Sequence, residues 1–376
     1  MAGIYIHVPF CKQACHYCDF HFSTSLKNKK PLIAAILKEL ELRKTYLPND
    51  NIDTIYFGGG TPSLLDTDEI QQILSKIKAL FEVAHNAEIT LEANPDDLTI
   101  PKIKSLKAAG INRLSIGIQS FYDEDLSDMN RAHNANEAKV VVQNCLNQGF
   151  EHLSIDLIYG GTTLSDEHWM HNLETAFNSG INHLSAYSLT VEPKTALSSF
   201  IAKGKKAPLE DEKSIRHFEI LKSMAKEHGF EHYEISNLAK PGHYSTHNTN
   251  YWKGEPYLGV GPSAHSFDGN SRQWNVRNNA QYIKLVAEKG FYFEQEQLSS
   301  SDQYNEYIMT ALRTTWGVDF NRIQERFGAE LLSYLEEQIK QISNNLIEET
   351  AIGFKLSTAG MNVADTVISE CFWVEN

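Results

Sequence analysis

Gly3-Ile-Tyr-Ile-His-Val-Pro-Phe-Cys11-Lys-Gln-Ala-Cys15-His-Tyr-Cys18 stands near the start of the chain. Apolar residues alternate with Tyr5 and His7 as far as Pro9, and the cysteines follow at once with the spacing C-x3-C-x2-C. A short alternating run stopped by proline reads as a β-strand. Such a strand delivers three thiols to the loop at its C-terminal end. Similar runs recur at 54–57, before Gly58-Gly59-Gly60; at 88–93, before Asn94-Pro95; and at 113–119, 152–159 and 183–189.

The segments between them have helical spacing. Ile33, Ile36, Leu37 and Leu40 fall on one face of 31–45, and Ile70, Ile73, Leu74 and Ile77 on one face of 66–81, where Asp66 or Thr67 can cap. Helices over 100–109, 135–148 and 165–179 are each followed by a glycine, Gly110, Gly149 or Gly180. Strand–helix alternation with this punctuation predicts a parallel sheet with crossover helices. Six units in about 190 residues, against roughly 250 for a full eightfold barrel, predict an incomplete TIM-like (β/α)6 barrel.

The rhythm changes after Pro193. A helix is expected over 210–228, whereas 230–269 is rich in aromatics, His, Asn and Gly and has little periodicity. Helices over 303–314, 329–345 and 358–368 with a strand at 354–356 suggest a winged-helix-like α+β region. The expected division is a barrel over 1–200, a barrel-associated extension over 201–294, and a small C-terminal domain over 295–376.

The 376 residues are 41% hydrophobic, enough for a large core, and 34 basic against 48 acidic residues give a formal charge of −14. An acidic surface repels phosphate backbones, so nucleic acid is not the expected partner. The lysine groups Lys27, Lys29, Lys30 and Lys203, Lys205, Lys206 read as solvated loops. No stretch approaches the ~18 apolar residues of a membrane span, and the first residues lack the charge and apolar run of a secretory signal. A cytoplasmic protein is expected. Three of its five cysteines, Cys11, Cys15, Cys18, Cys145 and Cys371, fall within eight residues, which favours a metal site over disulfides.

Three soft thiolates on one loop can hold three irons of a cubane cluster, and with no fourth cysteine nearby one iron stays open to an exogenous ligand. The other possibility is zinc, with His7, His16 or His21 as fourth ligand. With Tyr17 just before the last cysteine, the triplet at the end of the first strand resembles the radical S-adenosylmethionine superfamily. That resemblance implies a 4Fe–4S cluster on Cys11, Cys15 and Cys18, whose open iron binds the amino and carboxylate groups of S-adenosylmethionine.

Other candidates fall at or near strand C-termini, where a parallel barrel places its active site. Gly58-Gly-Gly-Thr-Pro62 follows the second strand, and bare glycine amides can meet a carboxylate or ribose. Glu92 lies in the third strand, Gln119 ends the fourth and Arg131 follows it. Asp156 lies inside an apolar fifth strand, where a carboxylate needs a partner or a task.

A closer resemblance covers nearly the whole chain. Tyr5-Ile-His-Val-Pro-Phe-Cys11, Gly58-Gly-Gly-Thr-Pro-Ser63, Glu92-Ala-Asn-Pro95, Gly117-Ile-Gln-Ser-Phe121, Asn130-Arg131 and Asp156-Leu-Ile-Tyr-Gly160 are similar to segments of the oxygen-independent coproporphyrinogen dehydrogenases and their heme-chaperone paralogues, the HemW group. The resemblance implies that Tyr5, Tyr17, Gly59, Gly60, Thr61, Glu92, Gln119, Arg131 and Asp156 line the S-adenosylmethionine site. The dehydrogenases carry a further cysteine where Phe20 stands here, and an extension ahead of the first strand.

His247-Asn248-Thr249-Asn250-Tyr251-Trp252 matches the H-N-x-x-Y-W motif of the HemW group. It implies heme binding by His247, Asn248, Tyr251 and Trp252, with imidazole as an axial ligand and the rings against the macrocycle. His265 is a second candidate ligand. The expected function is a heme chaperone that delivers heme to respiratory membrane proteins; the alternative is a coproporphyrinogen III dehydrogenase. The reading leaves room for S-adenosylmethionine cleavage, a homodimer and peripheral contact with the inner face of the cell membrane.

Changing Cys11, Cys15 or Cys18 to Ala is expected to abolish cluster iron, sulfide and visible absorption, whereas Cys145→Ala and Cys371→Ala keep them. Iron and sulfide analysis after anaerobic reconstitution decides, and iron surviving the triple change would refute the assignment.

Overall fold

Each expected strand–helix unit forms. The structure, a computed structural model, describes residues 2–290 and 292–374. The series runs β1 (Ala2–Val8), α1 (Lys29–Leu42), β2 (Asn51–Gly59), α2 (Thr67–Leu80), β3 (Glu82–Ala93), α3 (Ile100–Ala109), β4 (Arg113–Gln119), α4 (Asp123–Asp128), α5 (Ala135–Asn147), β5 (His152–Tyr159), α6 (Asp166–Asn178) and β6 (His183–Ser188). Local chemistry sets the ends. Asn134 and Glu137 exchange side chain-to-backbone bonds at the start of α5, and Gly110 closes α3 at φ 103°.

β1 to β6 pair in parallel and in chain order. All seven residues of β4 are buried, the result of a parallel sheet covered on both faces. The sheet stays open. Beyond β6 it continues through β8 and β7, and beyond β1 through β9, β10, β11 and β12, so that it has twelve strands among the described residues. These come from α7 (Ala196–Ala202), α8 (Asp211–Glu227), β7 (Glu231–His232), β8 (Asn237–Ala239), α9 (Thr246–Trp252), β9 (Tyr257–Val260), β10 (His265–Phe267), β11 (Ser271–Asn275), α10 (Asn279–Ala287) and β12 (Phe293–Gln297).

The stretch 230–269, read as having little periodicity, forms β7 to β10 and α9. Its strands have two to four residues, too few to show a period. β9 lies parallel to β1, with Gly3 opposite Tyr257.

A second core extends from Tyr304 to Cys371. It is built by α11 (Ser300–Ala311), β13 (Val318–Asp319), α12 (Phe320–Phe327), α13 (Ala329–Ile339), β14 (Ile347–Glu349), β15 (Gly353–Leu356), α14 (Thr358–Met361) and α15 (Ala364–Glu370). Its strands make an antiparallel sheet in the order β13-β15-β14, the small α+β region expected. The helix expected over 358–368 breaks at Asn362 and Val363. No helix among the described residues is long and apolar enough to cross a membrane.

Buried imidazoles tie the elements together. His183 bonds Ser154 and Tyr233, each at 2.7 Å, and His247 bonds Thr54 at 2.7 Å. Burial lowers the pKa of His7, His133 and His232 to about 4 and that of His247 to about 3. Between these values and the ordinary one near 6.5, the folded protein binds fewer protons than the unfolded chain. Stability is then full above about pH 6.5 and falls as the pH drops toward 4. Urea midpoints taken from pH 7.5 to 5 are expected to fall. In His247→Gln the slope should be shallower by about one proton, about 1.4 kcal/mol per pH unit. Identical slopes would mean that His247 is not held neutral.

Candidate functional site

The loops at the C-terminal ends of β1 to β6 enclose a cavity of about 590 Å³. Cys11, Cys15 and Cys18 form one wall, with Tyr17 beside them. The loop that carries them is folded back on β1: Ser23 N–H donates to Pro9 O at 2.8 Å and Cys11 N–H to Ser23 O at 3.1 Å. Farther along, His16 N–H donates to Met129 O at 3.1 Å. Burial raises the Cys11 thiol and pushes that of Cys18 up to about 11. A bound metal offsets that cost by supplying positive charge. Arg131 donates from Nη1 to Cys15 Sγ at 3.3 Å and from Nη2 to Asn94 Oδ1 at 2.7 Å and Gly117 O at 2.8 Å.

The opposite wall is acidic. Glu92 accepts from Tyr56 Oη at 2.8 Å and Gly59 N–H at 3.1 Å. Burial first, and Asp156 as a neighbouring like charge, lift its pKa to about 7. Asp156 accepts from Ser115 Oγ at 3.1 Å, and burial lifts its pKa to about 6. Two carboxylates held above their ordinary range gain from a proton or from a cationic ligand. Gln119 ends β4 at φ 67°, and its Oε1 and the Arg131 Nε are buried with no partner.

These donors fit a cluster with a polar organic ligand better than zinc. His7 bonds Tyr5 Oη and His21 O, His16 bonds Asp128 O, and His21 bonds Asn279 Oδ1. None of the three lines the cavity. Among the described residues no three His, Cys, Asp or Glu side chains close on a single ion.

The structure brings Tyr17, Gly59, Gly60, Thr61, Glu92, Gln119, Arg131 and Asp156 to this cavity. Three expectations need correction. Gly59 and Gly60 do not offer bare amides, because Gly59 N–H is spent on Glu92 and Gly60 N–H on Val8 O at 2.9 Å. Tyr5 lies off the cavity wall, stacked on Tyr56 at 6.1 Å. His247 is only 2% exposed. Its Nδ1 is bonded to Thr54 and its Nε2 to Tyr251 Oη at 2.9 Å, so neither nitrogen is free for iron in this fold.

Asn248, Tyr251 and Trp252 instead line a second cavity, of about 530 Å³, between α9 and the C-terminal region. His265 lines neither cavity; it is exposed on β10, stacked with Trp274. Sequence reasoning missed Asn94, Ser115 and Tyr187 at the first cavity. Asn94 could have been found, since it stands in the quoted Glu92-Ala-Asn-Pro95 segment.

If S-adenosylmethionine occupies the first cavity, Asp156→Ala is expected to weaken its binding about tenfold, the cost of one charged partner, and to leave cluster iron unchanged. Anaerobic calorimetry checks this; unchanged affinity in Asp156→Ala and in Asp156→Ala with Gln119→Ala would rule it out.

Residues 5–176 match the Radical SAM superfamily and residues 298–363 the HemN C-terminal domain. The chain is 37% identical over 350 residues to the heme chaperone HemW of Bacillus subtilis, covering 91% of each chain. It is 32% identical to the HemW of Mycobacterium tuberculosis, covering 97% of this chain and 93% of that one. The structure of coproporphyrinogen III oxidase (HemN) from Escherichia coli superposes with a TM-score of 0.85 at 21% identity, over 99% of this chain and 90% of that one, a likeness of fold. With relatives this similar along almost its entire length, the chain belongs to the HemW family of the radical S-adenosylmethionine superfamily.

Proposed function

We propose that this protein is a heme chaperone that binds heme in the cavity beside α9 and delivers it to respiratory membrane proteins. The observation that carries the reading is the lining of that cavity. Asn248, Tyr251, Trp252, Tyr257 and Tyr307 offer flat faces with polar edges, and Arg272, Arg322 and Arg326 offer positive charge. A flat, largely apolar ring with an anionic rim is suited to such a wall. The HemW relatives are named as heme chaperones, which supports the same reading.

Membership of the superfamily implies a 4Fe–4S cluster and S-adenosylmethionine. When bound, the cluster supplies an electron and an open iron for the sulfonium ligand. The residues of this chain do the rest. Cys11, Cys15 and Cys18 hold the cluster, Arg131 steadies the Cys15 sulfur, and Glu92 and Asp156 face the cationic ligand. Gln119 Oε1 accepts from a donor that the protein does not provide. In this reading the cluster site stabilises an oligomer or gates transfer of heme.

His247 acts here as a positioning residue. Its bonds to Thr54 and Tyr251 and its stacking on Tyr56 at 4.9 Å fix α9 against β2, which turns Trp252 to the cavity. Ligation of iron by His247 would require the Thr54 or the Tyr251 bond to break. Decarboxylation of coproporphyrinogen is the alternative activity; at the place of the dehydrogenases' further cysteine stands Phe20, 66% exposed.

Heme titration of the anaerobically reconstituted protein, followed at the Soret band, tests the proposal. Stable uptake without turnover of coproporphyrinogen is expected. Trp252→Ala should weaken heme binding about tenfold, the worth of one buried aromatic contact. His247→Ala should lower affinity without changing the spectrum of bound heme, and adding His265→Ala should change nothing more. No uptake by the intact protein, or turnover at an enzymatic rate, would end the chaperone reading.

A further inference from the structure

The cavity beside α9 has a cationic edge. Arg322 and Arg326 stand one turn apart on α12, and both line it. Side chains so spaced on a helix are about 6 Å apart at Cβ. Burial, then the charge of Arg322, lowers the pKa of Arg326, while Glu306 opposes this. Both donate to neutral oxygens. Arg322 donates to Lys253 O at 2.9 Å, and Arg326 to Gln303 Oε1 at 3.1 Å and Gly269 O at 3.4 Å. Arg272 faces them from β11 and is engaged by Glu306 at 2.9 Å. Glu255 and Glu234 also line the cavity. Burial lifts Glu234 to about 7, and it bonds Ser236 and Asn237.

The rings place this edge. Arg322 lies over Tyr307 at 4.8 Å and Arg326 over Phe327 at 5.3 Å. Tyr251 and Trp252 approach the same cavity from α9. Two guanidiniums one turn apart, next to an aromatic wall, match a planar ligand that carries two carboxylates on one edge. Heme carries its two propionates in that arrangement.

We propose that Arg322 and Arg326 form the carboxylate-binding edge of the heme cavity, each pairing with one propionate while the macrocycle lies along Tyr251, Trp252 and Tyr307. This rests on the heme reading above and names the part of the ligand that the cavity recognises. The two anions add to the charge that Glu306 already sets beside Arg326 and give both guanidiniums charged acceptors in addition to the neutral oxygens they meet.

The test compares heme with heme dimethyl ester, which keeps the ring and iron and lacks the carboxylates. The full-length wild-type protein is expected to bind heme about a hundredfold more tightly than the ester, about tenfold for each charge-assisted pair. The Arg322→Gln with Arg326→Gln variant is expected to bind heme about a hundredfold more weakly and the ester as the wild type does, with unchanged thermal unfolding. Equal affinity of the wild type for heme and ester overturns the proposal without any variant. So does a double variant that keeps its heme affinity or loses both ligands equally. Trp252→Ala separates this from the underlying reading. If it weakens both ligands while the arginine variant weakens neither, the cavity holds heme by its ring alone. If it weakens neither, the ring lies elsewhere and the proposal falls with the cavity.

Discussion

The first cavity depends on how closely β1 and β2 approach at their C-terminal ends. A Cβ on Gly60 would fall 2.7 Å from Phe10 O and 3.0 Å from Cys11 Sγ. Gly59 has φ 113°, and a Cβ there would meet the His7 ring at 2.7 Å. Only glycine gives this spacing. The closeness lets Gly60 N–H reach Val8 O, which seats the cysteine loop on the second strand. It also turns Gly59 N–H toward Glu92, so the backbone behind the thiols fixes the carboxylate that faces them. The glycines therefore act as a spacer between strand and loop, and their amides serve the protein itself.

The same strands hold the second cavity. Glu88 on β3 accepts from the N–H groups of Thr246 at 3.0 Å and His247 at 2.9 Å and lies 3.7 Å from the buried Arg113. A carboxylate at a helix start is favourable, and this one anchors α9 under the sheet. A Cβ on Gly3 would fall 2.8 Å from Thr54 Oγ1 and 3.2 Å from the His247 ring, so β1 too must be bare where α9 packs. A small polar cavity lined by Tyr56, Glu92, Asp156, Tyr187 and Asn248 lies between the two large ones, and Tyr187 lines all three. Glu92 and Asp156 both raise the pKa of Tyr56 after burial, and Tyr56 stacks on His247. Charge at the first cavity is thus felt at the base of α9.

The parallel strand–helix series was legible because its strands and helices are long enough to show a period and are punctuated by glycine and proline. The expected strand at 152–159 matches β5, and the expected helix over 100–109 matches α3. Extension of the sheet past β1 and β6 was not legible. β9 has four residues, Tyr-Leu-Gly-Val, and is held by pairing with β1. Partners distant in the chain make such a strand, and its own sequence carries no trace of them.

At the site, the side chains that present chemistry to the cavity were legible from their place in a strand or the segment after it, as Glu92, Gln119, Arg131 and Asp156 show. What each atom does there was less so. A motif names residue types, and the fold decides which of their donors are already spent. The Gly59 and Gly60 amides read as free because glycine suggests access, yet access and availability differ once Val8 and Glu92 claim the hydrogens. His247 is the sharper instance. Histidine beside tyrosine and tryptophan suggests an iron ligand, but the chain spends both imidazole nitrogens on Thr54 and Tyr251 and buries the ring against Tyr56. A buried imidazole with two partners is costly to remove and holds one orientation. Its contribution to the cavity is then the angle of α9, which sets where Asn248, Tyr251 and Trp252 can meet a ligand.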